Sequence, residues 1–128
     1  MHRAILLLIA IVTVATVSAR PQIVAHRGFH QEGGAARNSI EALQKAQEAG
    51  FEWVEIDINL TADGVPMAIH GVWHPNKQEG VHIQKSAKAE IQVHPLTNGE
   101  KVPTFEDFLL RGDRRPTYAS AWSLASTI

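Results

Sequence analysis

Five residues in this chain have types and spacing that could do chemistry together: His26 and Arg27, Glu55 and Asp57, and His70. The two carboxylates lie in Glu52-Trp53-Val54-Glu55-Ile56-Asp57-Ile58-Asn59-Leu60, which reads as one buried strand. On a strand Val54, Ile56 and Ile58 line one face while Glu55 and Asp57 line the other, roughly 6.6 Å apart along the chain. Burial and mutual repulsion would put a proton on one of them unless a cation keeps both ionised, and a metal ion with oxygen ligands does so. Solvated acids on an exposed edge, or acids paired with Lys or Arg, fit the same pattern, so the pair alone leaves the choice open. Histidine exchanges protons near neutral pH, and the planar fork of arginine suits a phosphate. With paired carboxylates to hold a hard cation, these side chains supply what cleavage of a phosphodiester requires: charge neutralisation, a base and an acid. His30, His74, His82 and His94 fall in loops and are expected to be structural or surface residues.

The elements that must position these groups can be read from the same sequence. Ile23-Val24-Ala25, ending at His26-Arg27-Gly28, fits a short buried parallel strand with polar residues at its end. Small residues from Gly33 to Ala36 read as loop, and Asn38 or Ser39 can cap a helix from about Ile40 to Ala49. In that helix Ile40, Leu43, Ala46 and Ala49 form the apolar stripe, and Gly50 supplies the stop. The acidic strand follows, then a turn at Thr61-Ala62-Asp63-Gly64 and a third strand from Val65 to Ile69 that ends at His70. Ionisable residues thus gather at the carboxyl ends of three strands, where barrels and open α/β sheets build their sites. From Gly71 to about Lys101 periodicity is lost apart from Val81 to Ile83, as in an irregular insertion. Thr104 and Asp107 then suit the cap and third position of another helix, with Gly112 as its stop.

With 128 residues the chain has room for little more than one domain. A net charge of -1 gives no sign of nucleic-acid binding. Cysteine is absent, so disulfides and thiolate chemistry are excluded and any metal must be held by oxygen or imidazole. Met1-His2-Arg3, the apolar run from Ala4 to Val17 and Ser18-Ala19 read as a secretory signal peptide over residues 1–19, with the mature start near Arg20. The run is shorter than the roughly 18–20 residues of a spanning helix, so no transmembrane anchor is expected after cleavage. The expected location is secreted or periplasmic, where calcium is plentiful.

Ala25-His26-Arg27-Gly28, Asn38-Ser39, Val54-Glu55-Ile56-Asp57 with Thr61-Ala62-Asp63-Gly64, Ile69-His70 and Val102-Pro103-Thr104-Phe105-Glu106 resemble, in order and spacing, the N-terminal half of a glycerophosphodiester phosphodiesterase. The resemblance implies an α/β fold, a partial TIM (β/α)8 barrel of the phospholipase C-like phosphodiesterase type with an insertion at about 71–101. It implies a domain over 20–128, incomplete at its C-terminus, with His26 and His70 as the acid and base, Arg27 on the phosphate, and Glu55 and Asp57 on Ca2+ or Mg2+. The implied reaction takes a small-molecule glycerophosphodiester to an alcohol and glycerol 3-phosphate, through attack of the glycerol hydroxyl and a cyclic phosphate, as part of glycerophospholipid metabolism. Three departures stand out. Ala36-Arg37-Asn38 replaces the family's frequent Pro-Glu-Asn, Gly71 stands where aspartate usually follows the second histidine, and no Asp or Glu after Asp113 offers a third metal carboxylate. A barrel usually takes about 250 residues. The sequence therefore reads as a truncated chain whose exposed strand edges invite self-association, and the alternative function is a non-catalytic fragment with weak cation or phosphate binding.

Overall fold

The computed structural model describes residues 21–111; the proposed signal peptide, the tail and the expected helix stop at Gly112 lie outside the described residues. The chain runs β1 (Val24–His26), α1 (Ile40–Glu48), β2 (Trp53–Glu55), β3 (Ile58–Leu60), β4 (Pro66–Ala68), β5 (Trp73–His74), β6 (Lys77–His82), a 3-10 turn at Ile83–Lys85, α2 (Lys88–Gln92) and α3 (Phe105–Arg111). Among the described residues the strands form three pairs: β1 with β2 parallel, β3 with β4 antiparallel and β5 with β6 antiparallel. None of the described helices is long and apolar enough to cross a membrane.

The expected single acidic strand is two strands, broken after Glu55. The cause lies at Asp57, whose backbone N–H donates to the Asn38 side chain at 3.2 Å rather than to a neighbouring strand. The alternation survives the break. Val54, Ile56 and Ile58 are buried in one hydrophobic cluster with Ala25, Leu43, Ala46, Ala68 and Phe108. The first strand is parallel to β2 as its short apolar run suggests, yet only Ala25 is buried in it, while Ile23 and Val24 are exposed. Among the described residues β1 pairs with a strand on one side alone, which leaves its other edge without a strand partner.

Helix α1 starts where Ser39 accepts a hydrogen bond from the Ala42 N–H at 3.0 Å, which makes Ser39 the cap and frees Asn38 for another task. Two further N–H groups of the first turn, on Ile40 and Glu41, donate to the Glu100 carboxylate at 3.0 Å each. That carboxylate sits where the helix dipole favours negative charge, and it ties the end of the insertion to the helix start. The buried stripe is Ala42, Leu43 and Ala46; Ala49 is the exposed C-cap rather than a core residue. At α3 the Thr104 hydroxyl accepts from the Asp107 N–H at 3.1 Å, while the Asp107 carboxylate takes the Thr104 N–H at 2.8 Å. This is the reciprocal cap expected of that pair.

Residues 71–101, expected to be irregular apart from Val81 to Ile83, instead hold the β5–β6 hairpin, the 3-10 turn and α2. Ile83, Ile91, Leu96 and Val102 are buried with Ala36, Met67 and Ile69 in a second cluster. Strand β4 divides the two clusters, since Ala68 enters the first and Met67 the second.

Candidate active site at the strand ends

Parallel pairing in register places His26 beside Glu55. The His26 Nε2 lies 3.8 Å from Glu55 Oε2, and the same oxygen accepts the Arg27 backbone N–H at 3.1 Å. Arg27 has φ +57° and Gly28 φ +80°, so the chain turns left-handed as it leaves β1. For a residue with a side chain this costs on the order of 1 kcal/mol. The turn compensates by giving both the amide and the guanidinium of Arg27 to the acidic pair. Gly28 has no alternative, because a Cβ there would stand 2.6 Å from the Ala42 Cβ. Close approach of this turn to α1 lets the Phe29 N–H donate to the Ala42 carbonyl at 3.0 Å.

Asp57 is buried and held from two sides. Arg27 Nε stands 2.9 Å from its Oδ2, at ion-pair distance but without hydrogen-bond geometry. Asn38 closes a two-bond clamp: its Nδ2 donates to Asp57 Oδ2 at 3.1 Å, and its Oδ1 accepts the Asp57 N–H. Asn38 is itself left-handed, with φ +55°, and its N–H donates to the Arg27 carbonyl at 3.1 Å. Arg27, Asn38 and Asp57 thus form a closed ring of contacts.

His70 arrives from the other strand pair. Asn59, buried on β3, donates from Nδ2 to the carbonyls of Ile69 at 2.9 Å and Gly71 at 2.8 Å, and so grips the backbone on both sides of His70. Arg27, Asn38 and His70 line one cavity of about 370 Å³, together with Arg37 and the insertion residues Trp73 and Leu96. His26 does not line it. Its exposed ring borders a second depression with Phe29, His30 and Phe51.

The structure therefore brings Arg27 together with Glu55 and Asp57, and His70 together with Arg27, but leaves the two histidines in separate hollows. Glu55 Oε1 and Asp57 Oδ1 have no partner among the described residues. Hard oxygens of this kind fit a divalent cation, although two fall short of the six to eight that calcium takes. Among the described residues no group of three or more His, Asp or Glu side chains is placed to hold a metal.

Sequence reasoning missed the clamp of Asn38 and the grip of Asn59. An asparagine inside an otherwise β-branched strand was the available signal, since strands are depleted in it. His30 stays below its ordinary value, chiefly through burial and then through the positive charges of Arg37, His26 and Arg27. His74, expected in a loop, is fully buried on β5, where Nδ1 accepts the Asn76 N–H and Nε2 meets the His94 carbonyl at 3.0 Å.

A sequence profile of the glycerophosphoryl diester phosphodiesterase family matches residues 26–120. The chain belongs to this family. It is 33% identical over 101 residues to a glycerophosphodiester phosphodiesterase of Caldanaerobacter subterraneus, covering 72% of this chain and 41% of that protein. The crystal structure of a glycerophosphodiester phosphodiesterase from Parabacteroides distasonis superposes with a TM-score of 0.67 at 36% identity, over 79% of this chain and 41% of the other. A phosphodiesterase of Oleispira antarctica, solved in complex with the product sn-glycerol-3-phosphate, gives a TM-score of 0.65 at 28% identity, over 80% and 44%. The chain thus spans less than half the length of each of these relatives, and its fold is part of their barrel: an α/β fragment with the strand-end site of a partial (β/α)8 architecture.

Proposed function

We propose that this site hydrolyses a glycerophosphodiester to an alcohol and glycerol 3-phosphate with the help of a divalent cation, Ca2+ or Mg2+. The observation that carries the reading is the cavity shared by Arg27 and His70, in which Arg27 also reaches the Glu55 and Asp57 carboxylates, in a chain of this family. The glycerol 3-phosphate bound to the Oleispira relative is the product such a reaction would leave.

Arg27 binds the phosphate. Its Nε is engaged by Asp57, which leaves its terminal nitrogens for two phosphate oxygens. Glu55 through Oε1 and Asp57 through Oδ1 would hold the cation, which when bound neutralises charge on the phosphate. One of His26 and His70 takes the proton of the glycerol hydroxyl that attacks phosphorus. The other protonates the departing alcohol oxygen as the phosphorus–oxygen bond breaks. Water then opens the cyclic phosphate with the proton roles reversed. Asn38 orients Asp57 by accepting its N–H and donating to its carboxylate, and Asn59 fixes the backbone that carries His70.

The purified chain, given glycerophosphocholine with calcium or magnesium, should release glycerol 3-phosphate, measured by a coupled dehydrogenase assay. His70→Ala and His26→Ala should each lower the rate by about 10²–10⁴-fold, and a chelator should stop it. If no diester is turned over with either metal, the chain is a binding fragment and the reaction is not its own.

A further inference from the structure

We propose that the cavity selects glycerophosphodiesters whose alcohol portion carries a negative charge, and that Arg37 is the residue that reads it. The inference rests on the reaction proposed above and names its substrate class.

Two arginines line the cavity, and they are not equivalent. The charge of Arg27 is met inside the protein by Asp57 at 2.9 Å. Arg37 has no carboxylate partner among the described residues, and no Asp or Glu lines the cavity. The wall is therefore positive by the charge of Arg37, beyond what the phosphodiester itself requires. Its position is fixed although its side chain is exposed. Ala36 on one side is buried in the second hydrophobic cluster, and Asn38 on the other is buried in the Asp57 clamp.

A cationic alcohol such as choline would need a different wall. Cation recognition by aromatic rings works through their faces. This cavity offers one such ring, Trp73, and sets a guanidinium in the same lining. The ring of Trp73 is also engaged edge to face with His82 at 4.9 Å. Repulsion from Arg37 thus acts against choline, while attraction acts for a phosphate or carboxylate on the alcohol.

Calorimetric titration compares three diesters that share the glycerophosphoryl group: glycerophosphoinositol 4-phosphate, glycerophosphoinositol and glycerophosphocholine. At low salt the first should bind about tenfold more tightly than the last, and the ratio should shrink in 0.15 M salt as the Debye length falls to about 8 Å. Arg37→Gln should bring the ratio near unity and Arg37→Glu should reverse it. The same order of affinity in Arg37→Glu, or no binding of any of the three, overturns the inference. Release of glycerol 3-phosphate is followed in the same samples. Binding in the expected order without release removes the reaction and leaves the charge selection standing.

Discussion

The two hydrophobic clusters hold the candidate site in different ways. The first, under β1, β2 and α1, positions its groups through side chains: Asp57 is gripped by Asn38 and Arg27, and Glu55 takes the Arg27 amide. The second packs β4 and the insertion; His70, just past β4, is held through the backbone on either side of it by Asn59 of β3, and its imidazole is exposed. A buried carboxylate has to be held by specific partners because an unpaired charge there is costly. The role proposed for His70, moving protons to and from a substrate, would need its ring free, and holding only the chain around it leaves the ring so. The acidic pair is thus held through its side chains and His70 through its backbone, a division that predicts the two parts can be loosened separately.

The sharpest way to break that division is to damage each cluster in turn. Leu43 in the first cluster and Ile91 in the second are both almost completely buried, and truncation of either to Ala should cost about 2–5 kcal/mol. Hydrogen exchange distinguishes them. Leu43→Ala should expose the amides of Phe29 and Asn38, which bond within the first half of the site. Ile91→Ala should expose those of Ile83 and Leu96, which bond within the insertion, and leave Asn38 protected. Equal loss of protection throughout in both variants would mean that β4 couples the clusters into one cooperative unit.

A smaller effect separates the two asparagines. Asn38→Gly removes two bonds to buried Asp57, one of them to a charged oxygen, and keeps a residue at ease with the left-handed backbone. A loss of about 2–3 kcal/mol is expected. Asn59→Ala leaves two neutral carbonyls without their donor and should cost about 1–2 kcal/mol. Denaturant unfolding of the two variants gives the order, and the reverse order would mean that Arg27 alone suffices to hold Asp57.

Much of the first half was legible in the sequence because it rests on local rules. The alternation of Val54, Ile56 and Ile58 against the two acids, the caps at Ser39 and Thr104, and the apolar spacing of Leu43 and Ala46 follow from strand and helix periodicity. The break after Glu55 was not legible, because it depends on Asn38, distant in sequence, taking the Asp57 N–H. Nor was the second cluster. Its members, from Ala36 to Val102, are spaced without period and meet only in the folded chain. The exposure of Ile23 and Val24 likewise reflects which strands lie beside β1, which no local pattern records.

Acid provides the gentlest test of the division, because each half carries a group whose folded proton affinity is reduced. His30, in the first half, is lowered from 6.5 by burial first and by Arg37, His26 and Arg27 after it. The unfolded chain therefore takes up this proton before the folded one does. Stability from His30 is complete above 6.5, declines as pH falls below that value, and is fully lost once pH passes the lower folded value. Asp63, between β3 and β4, is lowered from 3.8 by the Thr61 hydroxyl and then by the Lys88 N–H at the start of α2. Its contribution is complete above 3.8 and disappears as pH falls through the lower folded value. Proton NMR of the imidazoles should give His30 a midpoint below 6.5, and Arg37→Gln should move it upward without restoring it, since burial is the larger cause. Stability measured against pH should then show a His30-dependent step that begins below 6.5 and vanishes in His30→Gln, while the Asp63-dependent step at stronger acid remains. A His30 midpoint unmoved by Arg37→Gln would separate Arg37 from the positive field of the first half and confine its charge to the cavity beside His70.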